Sequence, residues 1–278
     1  MNTPDDFESI RDDPDPIRRG QRAGDLIVIY QQRAAELARL RKAAIEEAHH
    51  QHGRSYTEIA ELLGLTKGRI SQIRTGAPQP ERAFFGVGPV TVGIPRRAGF
   101  EDGRKREYFD ANDQSTQELL ERMLTRLALV TTRHTIAPDS NEIPHGDVIM
   151  VCGPKSAPVA RRLQSSDGVL AFENFDGRWT ITDSRTGKRH DSPFLRDDTD
   201  RRDIGLISRS FVDNRVIVYI AGITSIGSTG VAHWLGTNLA GSYDPKSAFM
   251  YGLVECEFDK ASTITASRII AGPYDHGR

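Results

Sequence analysis

Residues 55–74, SYTEIAELLGLTKGRISQIR, constrain the fold of this chain more than any other stretch. Ser55 followed by Glu58 reads as a capping box, a helix-start signature. Ile59, Ala60 and Leu63 then fall on one helical face. Gly64 stands where a chain leaving a helix often takes a positive φ. Thr66 is a second N-cap, and Ile70 and Ile73 supply the apolar stripe of a second helix. Its other faces carry Lys67, Arg69, Ser71, Gln72 and Arg74, and no acid lies between Thr66 and Gly76. Two short helices about a glycine turn, the second cationic, read as a helix-turn-helix that places its second helix in the major groove of double-stranded DNA. The blander alternative is a helical hairpin with a solvated basic face.

Charge is sorted along the chain. Residues 1–16 carry Asp5, Asp6, Glu8, Asp12, Asp13 and Asp15 against Arg11, net −5, and are expected to be a disordered acidic tail. Residues 17–82 hold 12 Lys/Arg against 7 Asp/Glu, net +5, which suits a polyanionic partner. Cys152 and Cys256 sit in apolar runs and read as buried free thiols. No apolar leader and no run of 18 apolar residues is visible, so a cytoplasmic chain without a membrane span is expected.

Ahead of the helix-turn-helix, Leu26, Ile29, Tyr30, Leu37, Leu40, Ala44 and Ile45 recur at three and four residues. They predict one long helix over about 22–50, capable of packing on a partner subunit. Residues 83–115 read as a linker or arm, rich in proline, with a basic patch at Arg96, Arg97, Arg104, Lys105 and Arg106 and a strand-like run at 86–94. Ser115 is expected to cap a helix running through Arg126.

From about residue 146 the period changes. Asp147–Cys152 reads as a buried strand and 157–164 as a short helix. A hairpin is expected about Asp176-Gly177, followed by strands at 204–208 and 216–221. Gly222–Gly230 reads as a glycine- and hydroxyl-rich loop before a helix at 231–239, and two last strands follow. The expected class is α + α/β: an N-terminal helical helix-turn-helix domain over 17–82 and, over 116–278, an α/β domain with a mixed sheet.

The stretch SYTEIAELLGLTKGRISQIR resembles the helix-turn-helix of the fourth region of sigma factors and related one-domain regulators. The likeness lies in the TEIA entry, the LGLTKGRISQI turn and second helix, and their spacing. With the preceding DPIRRGQRAGDLI and AELARLRKAAIEEAH, the N-terminal part looks like actinobacterial regulators of this sigma-like type, over about residues 14–76. The resemblance implies promoter or operator binding through residues 66–75, with Lys67, Arg69, Ser71, Gln72 and Arg74 facing DNA. No segment resembles the sigma region that engages the polymerase clamp. That favours a regulator with an appended sensor over a sigma factor.

Two loops in the C-terminal part carry candidate chemistry, Gly153–Ser156 and Gly222–Gly230. Each joins a strand's carboxyl end to a helix, where open α/β sheets bind ligands. The candidate ligand-binding residues are Gly153, Lys155, Ser156, Gly222, Thr224, Ser225, Gly227, Ser228, Thr229 and Gly230. A phosphorylated or anionic small molecule is the expected ligand; tight strand–helix packing is the competing reading. Neither loop matches a Walker A, dinucleotide or nucleophile-elbow pattern, so no cofactor is named and no catalytic residue is assigned. His49, His50 and His52 read as helix-end residues, and Asp197, Asp198, Asp200 and Asp203 as a solvated loop, not as metal ligands. The expected function is a homodimeric, sequence-specific DNA-binding transcriptional regulator with a ligand-sensing or assembly domain. The alternatives are a nucleotide-processing enzyme tethered to DNA, and an oligomeric DNA-binding protein that senses nothing.

Overall fold

A computed structural model describes residues 7–164, 169–240, 247 and 249–274. The N-terminal unit is helical. A short helix α1 (Phe7–Arg11) precedes the 35-residue helix α2 (Pro16–His50). Asp15 caps α2 by accepting from Ile17 N and Arg18 N, and Pro16 sits at the first helical position, where its missing N–H costs nothing. Asp13 is buried and pairs with Arg18 at 2.8 Å and Arg22 at 2.7 Å. Those guanidiniums hold its carboxyl well below the ordinary range. The acidic segment is therefore structured from Phe7 onward, against the expectation of a disordered tail; residues 1–6 lie outside the described residues.

Helices α3 (Tyr56–Leu62) and α4 (Lys67–Gly76) follow. The Ser55–Glu58 capping box is complete in both directions, Thr66 caps α4 through Arg69 N, and Gly64 takes φ +63° in the turn. Ile59, Ala60 and Ile70 bury against Ile45 of α2, with Ala48, Tyr56, Leu65 and Ile73 around them. Leu63 is half exposed and stays outside this small core.

The remainder is an α/β unit. Its strands are β1 (Val90–Pro95), β2 (Arg97–Glu101), β3 (Arg104–Tyr108), β4 (Thr131–Ile136), β5 (Asp147–Val151), β6 (Leu170–Phe175), β7 (Arg178–Asp183), β8 (Lys188–His190), β9 (Arg202–Val212), β10 (Arg215–Gly222), β11 (Phe249–Phe258) and β12 (Ile264–Tyr274). Its helices are α5 (Ala111–Arg126), α6 (Val159–Gln164), α7 (Pro193–Arg196) and α8 (Ser225–Asn238). The main sheet runs β12-β11-β9-β10-β5-β1-β4. The pairs β10–β5, β5–β1 and β1–β4 are parallel, and β10–β9, β9–β11 and β11–β12 are antiparallel. The sheet is mixed, as the sequence predicts.

Its central strands are buried on both faces, which is why they read as unbroken apolar runs. Ile149 and Val151 of β5 and Val216, Val218 and Ile220 of β10 face a core shared with α5 and α8. Val148, Met150, Tyr219 and Ala221 face the opposite core, covered by α6 and the β6-β7-β8 sheet. No described helix is long and apolar enough to cross a membrane.

The structure departs from the sequence reading most at residues 83–115. Val90–Pro95 is no linker: it is an interior strand, paired with both β4 and β5. Residues 97–108 form the β2–β3 hairpin, and Asp110, not Ser115, caps α5. Glycines and prolines flanking a short strand disguised it. Asp147 supplies what the local sequence lacks, accepting from Val87 N and Gly88 N at 2.8 Å each, and from Val216 N across the sheet. A second departure is α8, which begins at Ser225, so most of the expected Gly222–Gly230 loop is helical.

The two units meet at Arg82, which is fully buried. Its guanidinium donates to Gln32 O, Gln32 Oε1 and Val87 O at 3.2, 3.0 and 2.7 Å, to Leu127 O at 3.1 Å, and to Ala128 O. Glu36, at 3.7 Å, is its counter-charge. One side chain thus ties the middle of α2 to the entry of β1 and the turn after α5.

Candidate functional site

On α4, Lys67, Arg69, Ser71 and Gln72 are exposed. Arg69 Nη1 donates to Gln72 Oε1 at 3.1 Å. No ion pair among the described residues engages Lys67 or Arg69, so both cations are available to a partner. Arg74 is different. Its Nε meets Glu46 Oε1 at 2.7 Å, and its guanidinium lies 4.0 Å from the centre of the Tyr56 ring. Tyr56 itself donates to Glu46 Oε2 at 3.1 Å. Arg74 therefore clamps α4 to α2 and α3. His49 stacks on the same Tyr56, with ring centres 4.0 Å apart, and accounts for part of the histidine cluster in structural terms.

The second site is a cleft of about 200 Å³ at the carboxyl ends of β5 and β10. Seven residues singled out from sequence line it: Gly153, Lys155, Ser156, Gly222, Thr224, Ser225 and Ser228. Gly227, Thr229 and Gly230 do not. A Cβ on Gly227 would lie 2.5 Å from Ile204 O, and one on Gly230 would run into Cys256. Thr229 faces α5, with its hydroxyl 2.9 Å from that of Thr116. These three serve the packing of α8 on the sheet and on α5.

The start of α8 is already occupied by a carboxyl group belonging to the chain. Asp203, fully buried at the start of β9, accepts through Oδ2 from Thr224 N at 3.1 Å, Thr224 Oγ1 at 2.6 Å and Gly227 N at 2.9 Å. Ile226 N donates to Thr224 Oγ1. Three amides at this helix start, ordinarily an anion-binding feature, are thus spent internally: Thr224 N, Ile226 N and Gly227 N. The sequence reading placed Asp203 in a solvated loop. Burial instead raises its carboxyl above the usual carboxylate range, and the bonds from Thr224 oppose that rise.

Three further lining groups escaped the sequence reading: Arg97, Asp113 and Phe172. Arg97 reaches Asp113 Oδ2 with Nε at 3.0 Å and Nη2 at 2.7 Å. Lys155 Nζ donates to Ile223 O at 3.0 Å and lies 5.9 Å from the centre of the Trp179 ring. Burial lowers its affinity for a proton, and Asp203 partly restores it. The Cys152 thiol, pushed up to about 12 by burial, is held as the thiol. Among the described residues no histidine lines the cleft beside Ser225 and Ser228.

Asp113 gives a testable pH signature. Burial pushes its carboxyl up to about 6, with Arg97 opposing the rise. The folded form thus holds its proton more tightly than the unfolded chain, whose value is near 3.9. Stability from this group is complete below about pH 4 and is lost as pH rises toward 6, by up to about 3 kcal/mol. Unfolding measured in urea should show wild type losing stability relative to Asp113→Asn between pH 4 and pH 7. A constant difference across that window would remove the assignment.

No protein-family model, curated protein or solved structure matches this chain.

Proposed function

We propose that the protein is a sequence-specific DNA-binding transcriptional regulator of the sigma-like helix-turn-helix type, whose α/β unit senses a small ligand in the cleft. The observation that carries this reading is α4: two exposed, unpaired cations beside Ser71 and Gln72, on a capped helix held rigidly by Ile70 and the Glu46–Arg74–Tyr56 clamp. In this arrangement Lys67 contacts phosphate, and Arg69 with Gln72 reads base edges. Arg74 supports the recognition helix instead of touching DNA. The pairing surface of the proposed homodimer is the outer stripe of α2, where Ile27, Tyr30, Leu37 and Leu40 stay exposed at spacings of three and seven.

Fluorescence anisotropy on duplexes selected from a random pool tests this. Arg69→Ala should weaken binding by roughly 1–3 kcal/mol at one base position. Lys67→Ala should weaken all sequences alike and flatten the log–log salt slope by about one. Arg74→Ala should lower the melting temperature of the N-terminal unit, because Glu46 loses its partner. Failure to select any duplex, or unchanged affinity in the Lys67→Ala/Arg69→Ala double variant, would sink the reading.

A further inference from the structure

The sensing role proposed above leaves the ligand's chemistry open, and the charges in the cleft narrow it. Arg97 is bonded to Asp113, and Lys155 Nζ donates to Ile223 O. At the start of α8, Thr224 N and Gly227 N are taken by Asp203 and Ile226 N by Thr224 Oγ1. An incoming polyphosphate would find most of these groups already engaged.

What remains is a set of unused valences of both kinds. Asp113 is 2% exposed and receives both Arg97 bonds on Oδ2, and no hydrogen bond from a described residue reaches its Oδ1. Asp113 lines the cleft, where this oxygen is left without a donor among the described residues. Ser225 Oγ accepts from Asn112 Nδ2 at 3.1 Å, and Ser228 Oγ accepts from Gly222 N at 2.8 Å, so each hydroxyl keeps its proton to donate. Lys155 has two N–H bonds beyond the one to Ile223 O. A hydroxyl group both donates and accepts, and it is the ligand group that uses such a mixed lining fully. Phe172 supplies an apolar wall for the face of a ring. The volume, about 200 Å³, falls below the roughly 300–1,000 Å³ of pockets for drug-sized ligands, and so suits one ring.

We propose that the cleft binds an uncharged polyhydroxylated ring, a free monosaccharide or the sugar of a nucleoside, with one hydroxyl donating to Asp113 Oδ1 and others accepting from Ser225, Ser228 and Lys155. The ring lies against Phe172. Asp113 discriminates hardest, because a ligand without a donor there leaves a carboxylate oxygen of the cleft without a partner.

The test uses the full chain and calorimetric titration with D-ribose, D-glucose, adenosine, ATP and inorganic phosphate. At least one neutral probe should bind, and more tightly than ATP or phosphate. Adenosine against the free sugars tells the two sources apart. Asp113→Asn should weaken that binding at least tenfold, and Ser225→Ala, at the partly exposed first residue of α8, by about threefold. The serine variant carries the test if Asp113→Asn does not fold. Tighter binding of ATP or phosphate overturns the proposal, as does binding unaltered in both variants, or silence from every neutral probe. Duplex binding is measured on the same samples. If it persists while the sugars are silent, the ligand class falls and the DNA-binding reading stands.

Discussion

Arg82→Ala should cost about 3–5 kcal/mol of stability, because it removes a fully buried side chain that bonds α2, the β1 entry and the turn after α5 together. Four backbone carbonyls, those of Gln32, Val87, Leu127 and Ala128, lose a buried donor at once, while Glu36 keeps its closer ion pair with Arg39. Unmet buried acceptors cost about 1–3 kcal/mol each before relaxation. Arg82→Lys should recover only part of the loss, since one ammonium cannot span carbonyls reached by two arms of a guanidinium. Chemical denaturation gives the magnitude. Limited proteolysis between residues 77 and 90 gives the location, and cleavage there should accelerate. A loss under 1 kcal/mol would show that the helical and α/β units are held together elsewhere. In the proposed regulator this junction carries the further consequence that Arg82→Ala weakens any linkage between ligand and DNA affinity. That linkage must be equal in both directions.

Gly227→Val should be as damaging, and for a steric reason. Helix α8 crosses β9 at backbone contact: a Cβ at Gly227 would lie 2.5 Å from Ile204 O and 2.9 Å from Asp203 Oδ2, and one at Gly205 would strike Gly227 in return. A branched side chain must lift α8 off the sheet and pull Gly227 N from Asp203, its 2.9 Å acceptor. Overpacking of this kind costs about 1–3 kcal/mol, and more where backbone is the obstacle, so a loss of about 3 kcal/mol or more is expected. Gly236→Ala, in the same helix, is the control. Its Cβ would find only Arg126 Nη2 at 3.9 Å, and the change should stabilise by about 0.5–1 kcal/mol through helix propensity. Thermal unfolding of the two variants separates close packing from general glycine effects. Two variants of equal stability would refute the contact.

The features legible in the sequence share one property: their causes are local. The Ser55–Glu58 box, the Thr66 cap, the Gly64 turn and the spacing of Ile59, Ile70 and Ile73 act within a few residues, and each stands where the pattern places it. The apolar runs of β5 and β10 and the Asp176-Gly177 hairpin belong to the same class. The run at 86–94 reads as strand-like but as part of a linker, because its place in the sheet is fixed from afar: Asp147, more than fifty residues on, bonds the amides that lead into β1. The cleft was half legible for the same reason. Its two loops are marked by glycine and hydroxyl residues, whereas Arg97 and Asp113 come from a hairpin and a helix that sequence spacing does not bring together.

By itself, then, the sequence determined a capped helix-turn-helix with a carboxylate-free second helix, a long amphipathic helix before it, and a mixed α/β unit with loops at the ends of two apolar strands. Only the tertiary structure decided how those parts are used. It turned Arg74 inward to Glu46 and set Gly227 and Gly230 against the sheet. It filled the start of α8 with Asp203 and brought Asp113, paired with Arg97, to the cleft. The reason is physical: caps and periodicity depend on neighbours along the chain, whereas the pairing of buried charges and the close approach of backbones depend on neighbours in space.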